Sequence, residues 1–397
     1  MEKLIELIRN NSESIYQTIL DYRRVLHREP ELSFHEKNTS SFIANVLTGS
    51  DIKVINNISD YSIIGILEGA HTGKTVGLRA ELDALPIQED TDLAFRSRNK
   101  GIMHACGHDI HMASLLGTAI HLSKLKEFIN GKVLFIFESG EEKLPGGAQS
   151  IIESIPFKQN LPDLMMGFHV LPELVAGTAG FCSGHYMASA DELYITVKGK
   201  GGHAALPNTL IDPIVISSNL IIALQQVVSR KAPPMIPSVL TFGKIIGDGA
   251  TNIVPDKVEI EGTFRTMDEK WRVEAHTIIE QIAESTAKGM GGDCKVTIKK
   301  GYPSLFNDPG LTSHAITLAE QYLGKQNVKS MPIRMTSDDF ASFSQIIPSS
   351  FFRLGTGFPD QKPAQLHSRT FIANEEVLKF SPGLLAWLTI NLLNRQE

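Results

Sequence analysis

The sequence has few cysteines, no long basic run and no long apolar run. Its three cysteines, Cys106, Cys182 and Cys294, are too few and too widely spaced for a disulfide framework, so Cys106 is free to act as a thiolate. The formal net charge is -6 and no run of Lys and Arg exceeds a pair, which argues against a nucleic-acid partner. The most apolar stretch, residues 384–393, is well short of the roughly 20 residues that span a membrane.

What is present is the composition of an ordinary globular protein. Of the 397 residues, 42% are hydrophobic and 21% are charged, and this length predicts two or three domains rather than one hydrophobic core. The first helix has acidic residues at Glu2 and Glu6 and an amphipathic pattern, which is not the pattern of a signal peptide. We therefore expect a cytoplasmic protein with no membrane partner.

Hydrophobic periodicity predicts alternating helices and strands in the first half of the chain. Runs over 62–68 and 75–81, separated by a His-Thr-Gly turn, are expected to pair as neighbouring strands. The run over 133–137 is apolar at every position, as in a strand buried on both faces of a sheet. The other elements predicted here are helices over 2–28, 35–47 and 109–129 and a strand over 164–168.

Three of these strands lead into acidic residues or a histidine. The strand over 75–81 is followed by Asp83, the strand over 133–137 by Glu141 and Glu142, and the strand over 164–168 by His169. Because sites in open α/β sheets form at the carboxyl ends of the strands, these side chains are expected to lie together.

The pattern changes near residue 190 and predicts an inserted domain. Between about 190 and 300 the order strand, helix, strand, strand, helix, strand is that of a ferredoxin-like unit, and α/β alternation resumes afterwards. The predicted fold class is α/β: a mixed-sheet catalytic domain with helices on both faces, interrupted by an inserted ferredoxin-like α+β (βαββαβ) domain. The expected boundaries are 1–188 and 301–397 for the two parts of the catalytic domain and 189–300 for the insertion.

A possible metal site begins in the stretch Gly101–His111, which contains three histidines, a cysteine and an aspartate. Cys106 and His108 flank Gly107, so an unusual turn at the glycine can direct a thiolate and an imidazole to one place. Asp109 is a plausible N-cap for the following helix. For His104 and His111 the sequence leaves two readings open, a role in the site or an ordinary loop histidine.

The remaining ligands come from elsewhere in the chain. The candidate set offers sulfur, nitrogen and oxygen ligands sufficient for one or two divalent metals: Cys106, His108, Glu142, His169 and His367. Thiolate and imidazole favour zinc, and oxygen-rich surroundings also allow manganese. Glu141, beside the ligand Glu142, is suited to act as general base toward a metal-bound water.

These residues belong to motifs that resemble a known family. The chain resembles the amidohydrolase branch of the aminoacylase and carboxypeptidase metallopeptidases, to which hippurate hydrolase, auxin-conjugate hydrolases and N-acyl-L-amino acid amidohydrolases belong. The match runs in order across essentially the whole chain. Its motifs are Arg-Ala-Glu-Leu-Asp-Ala-Leu-Pro (79–86), His-Ala-Cys-Gly-His-Asp-Ile-His (104–111), Glu-Glu (141–142), Gly-Phe-His-Val (167–170), Gly-Lys-Gly-Gly-His-Ala-Ala (199–205) and Thr-Asn-Ile-Val-Pro-Asp (251–256).

The resemblance implies roles for further residues. Asp83 would orient a metal ligand, and His203 of the inserted domain would reach the developing oxyanion from the other subunit of a homodimer. Asn252 and Arg265 would help to hold the substrate. The resemblance also allows cobalt or nickel as the metal, and an oligomer larger than the dimer formed through the inserted domain.

The chain departs from the family pattern at Glu81, where the branch usually has Asp, and at Asn208 and Arg369, which replace a histidine and a proline. The last two positions leave substrate choice open. The expected function is metal-dependent hydrolysis of N-acyl amino acids, N-acetyl or hippurate-like, to a carboxylic acid and a free amino acid. The alternatives are a dipeptidase or carboxypeptidase with the same site, and a non-catalytic protein with a structural metal.

Overall fold

A computed structural model describes residues 2–56 and 58–394, and the chain divides into two compact units. The first unit contains the chain up to Gly184, then Phe306–Ile333 and the part from Asp339 onward. The second contains His185–Leu305 and a short return, Arg334–Asp338, which the sequence did not predict.

The helices and strands are numbered separately in chain order. The helices are α1 (Glu2–Arg28), α2 (Lys37–Gly49), α3 (His108–Lys124), α4 (Ala148–Glu153), α5 (Ile155–Gln159), α6 (Pro213–Gln226), α7 (Glu269–Gly289), α8 (Pro309–Leu323), α9 (Ala341–Ser344) and α10 (Ser381–Leu393). The strands are β1 (Lys53–Ile55), β2 (Ile63–Glu68), β3 (His71–Glu81), β4 (Asn130–Glu138), β5 (Leu164–Val175), β6 (Ala179–Phe181), β7 (Gly184–Met187), β8 (Asp191–Lys198), β9 (Gly202–His203), β10 (Ser238–Ile246), β11 (Ile253–Val254), β12 (Lys257–Thr266), β13 (Asp293–Lys300), β14 (Leu305–Asn307), β15 (Val328–Ser330) and β16 (Ser349–Gly357). Among the described residues, no helix is both long enough and apolar enough to cross a bilayer.

The first unit is built on a mixed sheet in the order β1-β2-β4-β3-β5-β16-β6-β15. The central strands β4, β3, β5 and β16 are parallel, and antiparallel neighbours flank them. This confirms the predicted mixed-sheet α/β class. The predicted pairing of the strands now labelled β2 and β3 is wrong, because β4 lies between them. β3 is buried from Val76 onward and pairs with β4 on one side and β5 on the other. β2 therefore pairs with the other side of β4.

β4 explains why both faces of this sheet are covered. Val133, Phe135 and Phe137 join a hydrophobic core with residues of α1, α3, α8 and α10. Leu134 and Ile136 alternate with them along the strand and are also fully buried. The apolar run therefore marks a strand with two buried faces, as predicted.

The second unit confirms the ferredoxin-like prediction. Its antiparallel sheet has the order β10-β12-β8-β13, and α6 and α7 share one hydrophobic core with it. β8 lies between β12 and β13, so the first and last strands of the βαββαβ order are neighbours. β10 is left at one edge of the sheet, with exposed apolar residues at Ile245 and Ile246.

Candidate metal centre and active site

The parallel strands β4, β3 and β5 are neighbours, so their carboxyl ends meet at one edge of the sheet. Asp83 follows β3, and Glu141 and Glu142 follow β4. His169 lies within β5, which continues beside β16 to Val175 instead of ending at the histidine, as the sequence had predicted. The side chains that the strand-end argument grouped therefore lie together, although one predicted strand end was wrong.

The start of α3 supplies the sulfur and another imidazole. Gly107 occupies the N-cap position with φ +87°, and a Cβ added there would meet Cγ2 of Val170 at 2.6 Å. The turn and the close contact with β5 both require glycine at this position. Cys106 and His108 consequently flank the turn, as the motif predicted.

Asp109 is not the N-cap that the sequence predicted. It lies in the first turn of α3, where its Oδ2 is 2.7 Å from Nε of Arg23 and 2.8 Å from Nδ1 of His27. All three side chains are buried, so the carboxylate pairs with cations of α1 and does not cap the helix. This ion pair joins the start of α3 to α1.

The five predicted ligands converge in the first unit. Nε2 of His169 lies 3.2 Å from Sγ of Cys106, and Nε2 of His367 lies 3.3 Å from the same sulfur. Oε1 of Glu142 lies 3.2 Å from Nε2 of His367 and 4.0 Å from Nε2 of His108. Each of the three imidazoles therefore directs Nε2 toward the thiol or the carboxylate.

Two of these imidazoles are oriented through their other nitrogen. Nδ1 of His108 donates to the carbonyl oxygen of Asp83 at 2.8 Å, and Nδ1 of His169 donates to the carbonyl oxygen of Val170 at 2.7 Å. Within the described chain, Nε2 of His108 is buried without a hydrogen-bond partner. Unpartnered buried donors and acceptors are costly, so this arrangement fits a divalent metal held by the cluster.

The charges around the cluster also favour a cation. Burial raises the pKa of the Cys106 thiol, and the carboxylates of Glu142 and Glu141 raise it further. Burial lowers the pKa of His108, but the neighbouring carboxylates of Glu81 and Asp83 outweigh it and raise this pKa to about 10. The cluster therefore stabilises positive charge, which a divalent metal would supply, and a bound metal would also keep the thiol of Cys106 ionised.

Glu141 lies beside the ligand candidates and is suited to another role. It is 8% exposed, and its Oε2 lies 4.0 Å from Nε2 of His108. Its neighbour Glu142 directs a carboxylate at both His367 and His108. The turn after β4 thus presents two carboxylates in succession at the cluster, of which Glu142 is the one that contacts His367.

Asp83 connects three parts of this centre. Its Oδ2 accepts from Oγ of Ser33 at 2.7 Å and from the backbone N–H of Glu142 at 2.9 Å, and its Oδ1 lies 3.3 Å from Nδ1 of His108. Burial raises the pKa of Asp83, but the hydrogen bonds from His108, Glu142 and Ser33 outweigh burial and lower it. The carboxylate is ionised and orients both a histidine and the Glu-Glu turn.

Ser33 and Glu36, in the loop between α1 and α2, were missed from the sequence. Glu36 is fully buried, and its carboxylate accepts from Oγ of Ser139 at 2.6 Å and from the backbone N–H of Gly140 at 2.9 Å. These contacts hold the residues that lead into Glu141. No spacing or motif marks this loop, because its partners lie 50 to 104 positions away in the chain.

The structure excludes one of the two readings left open for His104 and His111. Both are buried, so neither is a solvent-facing loop histidine. Among the described residues neither ring nitrogen of His104 has a hydrogen-bond partner, and burial lowers its pKa to about 3, so the ring is neutral. His111 hydrogen-bonds both Glu81 and Val170.

The remaining predicted site residues belong to the second unit. His203 lies on β9, which pairs with β11, and the carbonyl of Asn252 accepts from the N–H of Ala204 at 3.0 Å. His203 is exposed. Arg265 lies on β12, where its Nη1 donates to the carbonyl of Met335 at 3.1 Å. The roles predicted for His203, Asn252 and Arg265 stay predictions.

The two departures near the expected substrate site are both exposed. Asn208 lies in a 3₁₀ turn, Pro207–Thr209, of the second unit. In the first unit Nη2 of Arg369 pairs with Oδ2 of Asp90 at 3.1 Å, and the carbonyl of Arg369 accepts from the N–H of Asp90 at 2.8 Å. Arg369 thus ties the loop that carries His367 to the loop around Asp90.

Comparison with known proteins identifies the family. The pattern of peptidase family M20/M25/M40 matches residues 77–379, which include every predicted site residue. The chain belongs to this family. This membership, together with relatives named as hydrolases, confirms the predicted class of enzyme, a metal-dependent amidohydrolase or metallopeptidase.

Relatives of this family member carry two kinds of name. It is 35% identical over 398 residues to thermostable carboxypeptidase 1 of Saccharolobus solfataricus, covering 99% of this chain and 100% of that one. It is 36% identical over 346 residues to N-acetyl-L-cysteine deacetylase of Bacillus subtilis, covering 87% and 82%. It is 36% identical over 310 residues to N-acyl-L-amino acid amidohydrolase of Geobacillus stearothermophilus, covering 78% and 83%.

Solved structures agree with the fold. An aminohydrolase structure from methicillin-resistant Staphylococcus aureus has a TM-score of 0.92 at 32% identity and covers 99% of this chain and 100% of its own. The YXEP protein of Bacillus subtilis, described as a dinuclear metal-binding peptidase from the M20 family, has a TM-score of 0.82 at 30% identity, covering 96% and 99%.

Proposed function

We propose that this enzyme hydrolyses the amide bond of N-acyl amino acids and releases a carboxylic acid and a free amino acid. The observation that carries the proposal is the convergence of three imidazole Nε2 atoms, one thiol and one carboxylate beside Glu141. The proposed metal ligands are Cys106, His108, Glu142, His169 and His367, holding one or two divalent ions. A metal bound there would polarise the amide carbonyl and lower the pKa of water.

Residues other than the proposed ligands have roles in proton transfer, orientation and substrate binding. Glu141 accepts a proton from the attacking water and passes it to the leaving amine, because its carboxylate lies beside the cluster, 4.0 Å from Nε2 of His108. Asp83 orients His108 and the Glu-Glu turn. His203 of the other subunit donates a hydrogen bond to the developing oxyanion, a contribution of about 3 kcal/mol for one well-placed donor. Asn252 and Arg265 hold the substrate, with the guanidinium suited to its carboxylate.

Zinc is the proposed metal, since a thiolate and three imidazoles are ligands that it prefers. Manganese, cobalt and nickel are the alternatives, because the carboxylates also accept harder ions. The cluster supports a catalytic rather than a closed structural site, because Glu141 is a further carboxylate beside the five proposed ligands, and a structural site has no use for it.

The substrate class is supported by the deacetylase and amidohydrolase relatives. Short peptides are the second candidate, and the full-length similarity to a thermostable carboxypeptidase supports it. Both reactions break a linear amide next to a free carboxylate, so the same metal site serves either.

A panel of substrates distinguishes these reactions. Metal is first removed from the enzyme with a chelator, and zinc, manganese, cobalt or nickel is then added back. Release of free amino acid is measured from N-acetyl-methionine, hippurate and dipeptides. Metal-restored turnover concentrated on the N-acyl amino acids supports the proposal. Turnover confined to dipeptides favours the peptidase alternative, and absence of turnover with every metal and substrate contradicts both.

A homodimer through the second unit is also proposed. β10 is a sheet edge that carries exposed Ile245 and Ile246, and α6 exposes Ile222, which is 72% accessible. A second copy of this chain would cover these apolar groups and the open edge. Light scattering on I222E, with V273E on α7 as control, tests the proposed dimer. Only I222E is expected to give a monomer.

The cytoplasmic location stays a prediction.

A further inference from the structure

Val170 lies where β5 loses one of its neighbours. The register between β3 and β5 ends with Arg79 opposite Gly167, while β16 continues alongside β5 with Leu354 opposite Val170. Among the described residues, no strand pairs with β5 on the β3 side beyond Gly167. A backbone N–H left unpaired in this buried position would be costly.

His111 supplies the missing partner. The backbone N–H of Val170 donates to Nε2 of His111 at 2.9 Å, so this nitrogen carries a lone pair. Nδ1 of the same ring lies 2.8 Å from Oε2 of Glu81 and therefore carries the proton. The ring is fully buried, and its two contacts fix both its tautomer and its orientation.

Val170 also hydrogen-bonds His169, one of the proposed metal ligands. The carbonyl oxygen of Val170 accepts from Nδ1 of His169 at 2.7 Å, which directs Nε2 of His169 toward Cys106. The rings of His111 and His169 also pack edge to face, with centroids 4.7 Å apart. His111 thus holds the residue that orients a ligand candidate without itself joining the five.

Glu81 is in turn fixed by a buried cation. Its Oε1 accepts from Nη1 of Arg79, whose Nε donates to Glu138 at 2.8 Å and whose Nη2 donates to Asp339 at 2.5 Å. Glu81 therefore spans Arg79 on one side and His111 on the other. The longer acid at this departure from the family pattern makes both contacts in this chain.

We propose that His111, held by Glu81, is a positioning residue: it replaces the missing strand beside β5 and fixes the segment His169–Val170. The consequence for metal binding rests on the proposed function, in which His169 is a ligand. The effect on the strand itself does not rest on it.

Two substitutions separate the contacts of His111. In H111Q the side-chain oxygen can take the place of Nε2 and still accept from Val170, but the contact with Glu81 is lost. In H111N the amide nitrogen can take the place of Nδ1 and still donate to Glu81, but Val170 loses its acceptor. H121N is the control, since His121 is also buried on α3 and contacts Ser12 of α1.

The first measurement is hydrogen exchange of the metal-free proteins in the peptide covering 165–175. Exchange in this peptide is expected to be faster in H111N than in wild type, while H111Q and H121N stay close to wild type. Equal exchange in H111N and wild type overturns the proposal. Equally fast exchange in H111Q and H111N also overturns it, because acceptance from Val170 would then not be the deciding contact.

The second measurement is zinc affinity, by competition with a chromophoric chelator. H111N is expected to bind about 10- to 100-fold more weakly than wild type, and H111Q is expected to lose less. If H111N binds zinc as tightly as wild type does, the proposal that His111 positions His169 for metal binding is wrong. A wild-type protein that binds no zinc, manganese or cobalt contradicts the proposed metal centre instead, and hydrogen exchange still decides the role of His111.

A third measurement uses only the wild-type protein, so it does not depend on whether a variant folds. In wild-type protein with ¹⁵N-labelled histidine, a ring with the proton on Nδ1 and a hydrogen-bonded, unprotonated Nε2 is expected for His111. A ring with the proton on Nε2 overturns the proposal, because Val170 could not then donate to it.

Discussion

The backbone N–H of Glu142 donates to Oδ2 of Asp83 at 2.9 Å, so one buried carboxylate fixes the Glu-Glu turn and also faces His108. β3 and β4 are adjacent and parallel, and the loops that follow them meet at this hydrogen bond. Ser33 adds a third contact to the same carboxylate oxygen. The geometry of the metal centre therefore depends on Asp83 as well as on the proposed ligands.

Replacing Asp83 with Asn should weaken metal binding by about 10- to 100-fold, because the charge that faces His108 is lost and one amide orientation turns an N–H toward Glu142. S33A should have a smaller effect, since Glu142 keeps its acceptor. Metal titration of the two variants measures the difference. Wild-type affinity in D83N would show that Asp83 does not orient the centre.

Glu141→Gln should lower kcat by at least about 100-fold while metal affinity stays near the wild-type value, because the amide cannot accept the proton of the attacking water. Glu142→Gln is the matched comparison and should lose metal affinity, since its carboxylate faces His367 and His108. Turnover and metal content are measured for both. If E141Q kept more than a few per cent of turnover with full metal content, the base would be another group.

Gly107→Ala should destabilise the protein by more than Gly101→Ala. Both residues have positive φ, at +87° and +79°, which costs a non-glycine residue about 1–2 kcal/mol. Only Gly107 is in close contact with β5, because a Cβ would meet Val170 at 2.6 Å, whereas nothing lies within 4 Å of a Cβ at Gly101. Denaturant unfolding measures the difference, and equal losses would argue against the close contact.

Glu36 should make stability depend on pH. Burial raises its pKa from the ordinary 4.5 to about 7, although the hydrogen bond from Ser139 lowers it. The folded state therefore holds a proton that the unfolded chain loses at lower pH. The contribution of Glu36 to stability is fully present below about pH 4.5 and is lost as pH rises through about 7.

Glu36→Gln imitates the protonated acid and should remove this dependence. The thermal midpoint of E36Q is expected to rise relative to the metal-free wild type between pH 5 and pH 7.5, as measured by calorimetry. E6Q, at an exposed position of α1, is the control and should follow the wild type. A constant difference between E36Q and wild type across this range would contradict the raised pKa.

The sequence by itself determined the parts that depend on local pattern. The all-apolar run of 133–137 indicated a strand buried on both faces, and the order of elements from β8 to β13 indicated the ferredoxin-like insertion. The Cys106-Gly107-His108 motif and the side chains after parallel strands indicated a metal centre, because residue type and spacing limit which chemistry a loop supports.

Only the tertiary structure decided which distant residues meet. It inserted β4 between β2 and β3, brought Glu36 to the turn before Glu141, and directed Asp109 to Arg23 instead of the helix end. It also ended the pairing of β3 at Gly167, so that His111 accepts the N–H of Val170. Strand order and buried hydrogen bonds are set by packing across the whole sheet, and no local pattern records which backbone group is left without a neighbour.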